Sequence, residues 1–340
     1  MLTIQRGGRV NASPLEPSVD TGQDLRLLVR AATMYHLEGL TQAEVAGRLG
    51  LSRPTAGRLI ARARAQGLVR VVIDAPPHLA GSIHTDEERE IESLFGLDEV
   101  LIIDQSADGT HTGNAALGRA GASVLTRRLL PSDTLGFTWG PETVAVADSL
   151  GSRAANCRRV VQMDGSMTSV EYHTGVDHAL SRFAERLGAQ PLRLMAPLYA
   201  DAETVTAMRR DSILSQSLGA ANEADVMVFG VGSVSTSTTL FEGAYLDAAI
   251  LDELAGLDAV GEIGGRFYDV HGTAVESSLV DRTVSVSLDA VRDCRTTILV
   301  SGGAHRQESI LGAVRGGLAT TLVTDLTCAH WLISQQKGQR

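Results

Sequence analysis

Apolar residues recur at helical spacing three times before residue 66, and then give way to short apolar runs alternating with amphipathic stretches. Leu25, Leu28, Val29 and Ala32 fall at i, i+3, i+4 and i+7, one face of a first helix that Gly39 closes. Thr41, with Glu44 three residues on, is a capping box that opens a second, short helix. Val45, Ala46 and Leu49 form its inner face, and Gly50 stops it at the C′ position. Ser52 caps a third helix, with Pro54 tolerated in its first turn and Ala56, Leu59, Ile60 and Ala63 facing inward. The β-branched run from Leu68 to Asp74 predicts a wing strand. Two helices joined by a tight glycine turn, the second of them basic, is the helix-turn-helix plan.

Beyond Ala75-Pro76-Pro77 the pattern predicts strands at Val100–Ile103, Thr134–Thr138, Val160–Met163, Leu192–Ala196, Val226–Gly230, Thr297–Ser301 and Thr321–Thr324. Between them it predicts helices at Ala115–Leu130, Glu142–Leu150, Val176–Leu187, Thr204–Ser217, Tyr245–Ala255, Gln307–Arg315 and Asp325–Ser334. Strand–helix alternation of this kind means an α/β fold, a doubly wound and mostly parallel sheet covered on both faces. The expected organisation is a tail over 1–23, a winged helix-turn-helix domain over 24–76, a linker over 77–85 and a larger α/β domain over 86–336.

Charge sharpens the division. The chain has 340 residues and a net charge of −10. Residues 1–80 carry ten Arg against six acidic residues, so the head is cationic although the whole is acidic. A polyanion is therefore expected to meet the head alone. On the third helix Arg58 and Arg62 project opposite the inner face, with Arg53, Thr55 and Arg64 on its flanks. Arg53, Thr55 and Arg58 are expected to read bases in the major groove of operator DNA, where arginine bridges guanine acceptors. Ser52, Arg62 and Arg64 are expected on phosphates, with Thr41 and Gln42 as further DNA contacts at the start of the second helix. The alternative is a helical bundle with a solvated arginine face.

In the body, loops after strands are the places for a ligand. Trp139-Gly140-Pro141-Glu142, Asp164-Gly165-Ser166-Met167-Thr168, Gly230-Val231-Gly232-Ser233 and Gly302-Gly303-Ala304-His305-Arg306 each follow a predicted strand. Such loops offer backbone N–H groups and helix N-termini to a phosphate. The expected effector contacts are Trp139, Gly140, Gly165, Ser166, Met167, Thr168, Gly232, Ser233, Gly302 and Gly303, with Arg306 as a forked cation. Glu262 and Asp269 flank Gly264-Gly265-Arg266 and are expected to hold sugar hydroxyls. Trp139 reads equally well as core packing. Gly230 and Gly232 lack the third glycine and the acidic residue of a dinucleotide fingerprint, so a nicotinamide cofactor is excluded. No cofactor is expected. Cys157, Cys294 and Cys328 are scattered, with no metal-like spacing, which fits a reducing cytoplasm, and Cys157 and Cys328 read as buried small hydrophobes. His111, His173, His178 and His305 also lack metal-ligand spacing. The N-terminus has no apolar signal core and no run is long enough to span a membrane, so a cytoplasmic protein without membrane contact is expected.

The order of these motifs resembles the SorC-type regulators of sugar catabolism. The resemblance runs over about residues 24–335, through GLTQAEVAGRLGLSRPTAGRLIARARAQGLVRVVI, FTWGPETV, VVQMDGSMTS, FGVGSVSTS, GEIGGRFYDVHG and ILVSGGAHRQESILGAVRGGLATTLVTDLTCA. It implies a body related in fold to sugar-phosphate isomerases and glucosamine-phosphate deaminases. It also implies a phosphorylated sugar or polyol as effector, and a homodimer or homotetramer. In the family pattern a phosphate-binding lysine follows the SGG loop; Arg306 stands there in this chain. Lys337 is the only lysine, so covalent capture of an aldehyde effector through an interior lysine is closed to this protein. Gly165-Ser166-Met167 replaces a more usual Gly-Gly pair. The expected function is an effector-controlled, non-enzymatic transcriptional regulator of a carbohydrate operon. The rival is an active sugar-phosphate isomerase or deaminase with a fused DNA-binding head, using Asp269, Glu262 or His305 as its base.

Overall fold

The computed structural model describes residues 22–69, 83–104, 112–166, 175–235, 240 and 246–337. The chain divides into two units, residues 1–75 and 76–340, each with its own core. The tail before residue 22, most of the expected wing and most of the expected linker lie outside the described residues. Leu68 and Val69, the first two wing residues, are described and are not strand.

Among the described residues the head has three helices: α1 (Gly22–His36), α2 (Gln42–Leu49) and α3 (Arg53–Ala65). Both caps at the turn are formed. Thr41 Oγ1 accepts the Glu44 N–H at 3.3 Å, and the Glu44 carboxylate accepts the Thr41 N–H at 2.8 Å. Gly50 adopts φ +67°, the left-handed conformation that lets α2 end within one residue. Ser52 Oγ accepts the Thr55 N–H at the start of α3. The inner faces of α2 and α3 are as expected from spacing, but that of α1 is rotated. Leu28, Ala31, Ala32 and Met34 are buried, whereas Leu25 and Val29 are more than 40% exposed. Burial on α1 follows α2 and α3, the helices that pack against it, and small Ala31 supplies the close approach that the spacing of the larger residues concealed.

The larger unit is built on a seven-stranded parallel sheet in the order β1-β10-β9-β5-β2-β3-β4. Its strands are β1 (Glu99–Ile103), β2 (Thr134–Phe137), β3 (Arg159–Gln162), β4 (Gln190–Leu192), β5 (Val226–Phe229), β9 (Thr296–Val300) and β10 (Thr321–Asp325). Alternate residues feed two cores. Met227, Phe229, Leu299 and Leu322 pack on one face, and Val226, Val228, Ile298, Val300 and Val323 on the other. Burial on both faces is why these strands read as unbroken apolar runs. Two helices, α5 (Thr112–Arg128) and α6 (Pro141–Ser149), cross very closely on the second face. A Cβ on Gly118 would sit 2.5 Å from the Ala145 backbone.

Two expectations are corrected, and two elements are added. The strand placed at Leu192–Ala196 is the edge strand β4, displaced toward Gln190; past Leu192 the chain leaves the ladder and is held through bridges such as Ser166 to Pro197. The single helix at Thr204–Ser217 is two, α8 (Ala202–Arg210) and α9 (Ser212–Asn222), because the Asp211 carboxylate caps the Ile213 and Leu214 N–H groups. A helix not anticipated, α4 (Thr85–Phe95), starts where the linker was expected to end. A second, antiparallel sheet of β6 (Gly232–Ser233), β7 (Gly261–Ile263) and β8 (Arg266–Tyr268) was also not anticipated, because strands of two or three residues carry no readable period.

Cys157, Cys294 and Cys328 are free and buried. Burial pushes the first two thiols up to about 11 and the third to about 12. Thiolate is the reactive form. A disulfide-exchange reagent at pH 8 is therefore expected to find no fast thiol in the folded protein and three after denaturation; rapid native labelling of any of them contradicts this placement.

Candidate functional site

Two places carry the candidate chemistry. In the head, Arg53, Arg58, Arg62 and Arg64 are all exposed on α3. Arg48, on α2, is paired with Glu38 at 3.0 Å. Among the described residues Arg53, Arg58 and Arg64 enter no ion pair, so their charge faces solvent. The Ser52 and Thr55 hydroxyls are 2.8 Å apart and hold one another at the start of α3. Gln42 lies against α3, its Oε1 3.2 Å from where a Cβ on Gly57 would stand, so part of its surface is used between the helices. Thr41 is exposed, with its hydroxyl engaged by Glu44. α3 thus has an apolar inner side and a cationic outer side, the form a major-groove helix takes.

In the body, the order of strands reverses between β2 and β5. From β2 the chain proceeds through β3 and β4 to one edge; from β5 it proceeds through β9 and β10 toward the other. The carboxyl ends of strands at such a switch point leave a crevice. A cleft lies there, lined by Thr138–Glu142 after β2, Gly230–Ser233 after β5, Asp164 after β3, and His305 and Arg306 after β9. Glu262, Gly264 and Gly265 of the β7–β8 hairpin close it with Leu240. It encloses about 690 Å3 of empty space, its open mouth included.

Of the residues expected to hold an effector, Trp139, Gly140, Gly232, Ser233, Glu262 and Arg306 line this cleft. Trp139 is half-buried and belongs to both readings given above. Its ring Nε1 donates to the Gly165 carbonyl at 2.9 Å, while its edge packs on the core. Met167 and Thr168 lie outside the described residues. Gly165 and Ser166 do not offer their amides: these donate to the Val284 and Ala196 carbonyls at 2.8 and 2.9 Å. Gly302 and Gly303 do not line the cleft, and the Gly303 N–H is taken by buried Asp325. Asp269 is a turn residue. Its Oδ1 accepts the His271 and Thr273 N–H groups, each at 2.9 Å, and it does not line the cleft.

Spacing missed the acidic character of the cleft. Glu142 and Asp164 are buried, and Glu262 is largely so. Glu142 forms a direct ion pair with Arg306. Asp164 Oδ1 accepts the Trp139 N–H at 3.3 Å, and Glu262 Oε2 accepts the Gly265 N–H at 2.7 Å. Burial pushes the Asp164 carboxyl well above the usual range against that hydrogen bond, and neighbouring Glu262 adds to it. Burial also raises Glu262, opposed by the Gly265 N–H and by Arg306. His305 is pushed down by burial and by Arg306, so its neutral ring is favoured. A protonated carboxyl both donates and accepts, which suits hydroxyl groups. Sequence carried one signal for this, the acidic residues directly after β2 and β3, where loops at a switch point face a ligand. Among the described residues no group of three or more His, Cys, Asp or Glu is placed to hold a metal ion. Among the same residues no helix is long and apolar enough to cross a membrane.

The raised Asp164 value fixes a sign. Below about pH 4 both folded and unfolded chains hold its proton. As pH rises, the unfolded chain releases the proton first, and stability falls until the raised value is passed. Asp164→Asn keeps the acceptor for Trp139 and removes this loss. The variant is expected to gain on the wild type by up to about 1.4 kcal/mol for each pH unit in that window. Urea unfolding of both proteins between pH 4 and 7 checks it; parallel curves reject the placement of Asp164 in a neutral form.

Comparison with known proteins agrees with this two-part architecture. The Sugar-bind family of sugar-binding domains matches residues 82–334, and the MarR family matches residues 25–78. The chain is 28% identical over 316 residues to the deoxyribonucleoside regulator of Bacillus subtilis, covering 91% of this chain and 97% of that one. It is 29% identical over 326 residues to the erythritol catabolism regulatory protein EryD of Brucella abortus, covering 93% and 99%. The crystal structure of the full-length sorbitol operon regulator SorC of Klebsiella pneumoniae superposes with a TM-score of 0.68 at 26% identity, over 92% of this chain and all of that one. These relatives are named as transcriptional regulators rather than enzymes.

Proposed function

The chain belongs to the SorC-type family of sugar-binding transcriptional regulators, and on that premise we propose that it controls a carbohydrate or polyol catabolic operon in response to a phosphorylated sugar or polyol. The observation that carries this reading is a cleft at the β2–β5 switch point in which Arg306 stands beside carboxyl groups, on the same chain as an arginine-faced helix. Arg306 is the group for phosphate, Asp164 and Glu262 those for hydroxyls, and Trp139, Gly140, Gly232 and Ser233 shape the walls. In the head, Arg53, Thr55 and Arg58 read bases, while Ser52, Arg62 and Arg64, with Thr41 and Gln42, meet the backbone. The protein works in the cytoplasm as a homodimer or homotetramer, because one short recognition helix reads only a few base pairs and paired half-sites supply the rest. The effector changes operator affinity by binding the two arrangements of the assembly unequally.

A thermal-shift screen of polyol and sugar phosphates against their unphosphorylated counterparts tests the effector, since a ligand of the native state raises its stability. Fluorescence anisotropy with the DNA upstream of the protein's own gene, with and without the hit, tests the coupling. Stabilisation by phosphorylated compounds alone, together with a change in operator affinity, is expected. Stabilisation by the unphosphorylated members alone rejects the phosphate, and salt-insensitive or sequence-blind DNA binding rejects the regulator.

A further inference from the structure

We propose that Glu142 is an internal competitor for the effector's phosphate, holding Arg306 in the empty cleft and giving way when a phosphate with the right polyol chain arrives. The inference rests on the phosphorylated-effector reading above. The N-terminus of α6 opens into the cleft through Gly140, Pro141 and Glu142. Its N-cap, Gly140, has φ +152° and supplies no side-chain cap. First-turn amides have no intrahelical acceptor and carry the positive end of the helix dipole. Arg306 arrives from the opposite wall, after β9. A helix N-terminus facing a guanidinium is a place for one anion.

In this protein a carboxylate of the chain already takes that place. Glu142 is 4% exposed, and its side chain is paired with Arg306. Gly230, at the end of β5, leaves it room: a Cβ there would stand 3.1 Å from Glu142 Oε2. Arg306 is the one cation among the described lining residues, since His305 is held toward its neutral form. The remaining titratable groups of the cleft, Asp164 and Glu262, are acids. A phosphate that approached Arg306 with Glu142 unmoved would meet like charge at short range in a poorly solvated site. Binding is therefore an exchange of one anion for another. Inorganic phosphate gains only that exchange. A polyol phosphate gains it together with hydroxyl contacts to Asp164 and Glu262, so the competitor makes the site answer to the whole effector rather than to phosphate.

Glu142→Gln removes the negative charge and keeps an oxygen for Arg306. Inorganic phosphate is the probe, with chloride at matched ionic strength as control, and glucitol 6-phosphate and glucitol are the second pair. Calorimetry on the full-length protein is expected to show at least about tenfold tighter binding of inorganic phosphate to Glu142→Gln than to wild type, with glucitol unchanged. Adding Arg306→Gln to the variant is expected to abolish that gain, as coupled partners in a double-mutant cycle do. Glu142→Ala serves as a second variant should the amide perturb folding. If Arg306→Gln weakens the phosphorylated probe but Glu142→Gln and Glu142→Ala bind phosphate as the wild type does, the competitor is rejected and the phosphorylated effector stands. If no phosphorylated probe depends on Arg306, that reading falls and this inference with it.

Discussion

Arg58→Ala is expected to weaken operator binding at least about a hundredfold, while leaving effector affinity and thermal stability of the body unchanged. Arg58 lies on the outer side of α3, exposed and without an ion pair among the described residues. The buried side of the same helix is Ala56, Ile60 and Ala63, so truncation at 58 leaves the core of the head intact. An arginine reading a guanine edge contributes about 1–3 kcal/mol per copy, and a symmetric dimer uses two copies. The same change at Arg64, assigned to phosphate, is expected to cost less, to act alike on all sequences and to flatten the salt dependence by about one ion. Anisotropy titrations at several salt concentrations separate the two. Wild-type operator affinity in Arg58→Ala removes α3 from the DNA interface.

Gly165→Ala is expected to destabilise the larger unit by about 3 kcal/mol, the upper end of ordinary overpacking. A Cβ at Gly165 would stand 2.2 Å from the Pro197 carbonyl oxygen and 2.6 Å from the Leu198 nitrogen. These are backbone atoms, held in turn by the bonds from Gly165 N to Val284 O, Ser166 N to Ala196 O and Leu198 N to Ser166 O. No rotamer change relieves the clash. Because the Gly165 carbonyl also anchors the Trp139 ring, effector affinity is expected to fall with stability. Ser166→Ala, which loses only the 3.1 Å bond from Gln162 to the hydroxyl, is the mild control. Equal urea midpoints for Gly165→Ala and wild type contradict this account. Gly165 therefore belongs to the site through packing, whereas its place in a glycine loop had suggested a phosphate donor.

The legible parts of this molecule are those whose causes are local. Thr41, Glu44, Gly50 and Ser52 set the ends of α2 and α3 through bonds to residues within a few positions. Strands β2, β5, β9 and β10 were readable because they are apolar on both faces. Gln307–Arg315 and Val176–Leu187 were readable to the residue because each has one apolar stripe. Where the cause was not local, reading failed. Leu25 and Val29 match the helical period as well as Leu28 and Ala32 do, and only the packing of α2 and α3 on α1 decided between them. The hairpin Gly261–Tyr268 has strands too short for a period, although it supplies Glu262 to the cleft.

By itself the sequence determined a cationic helix-turn-helix head, an α/β body and loops at the right sheet edge, since caps, turns, charge and apolar runs act over a few residues. Tertiary structure alone decided what those loops present. Glu142 and Arg306 are 164 residues apart in the chain and become partners because β5 stands between β2 and β9. The Asp164 carboxyl is pushed well above its usual range because the fold buries it beside Glu262, and Asp269 sits in a turn, outside the cleft lining, with its Oδ1 bonded to two backbone amides. Burial and pairing are properties of the neighbours a fold brings together, and those neighbours are not written at any fixed spacing.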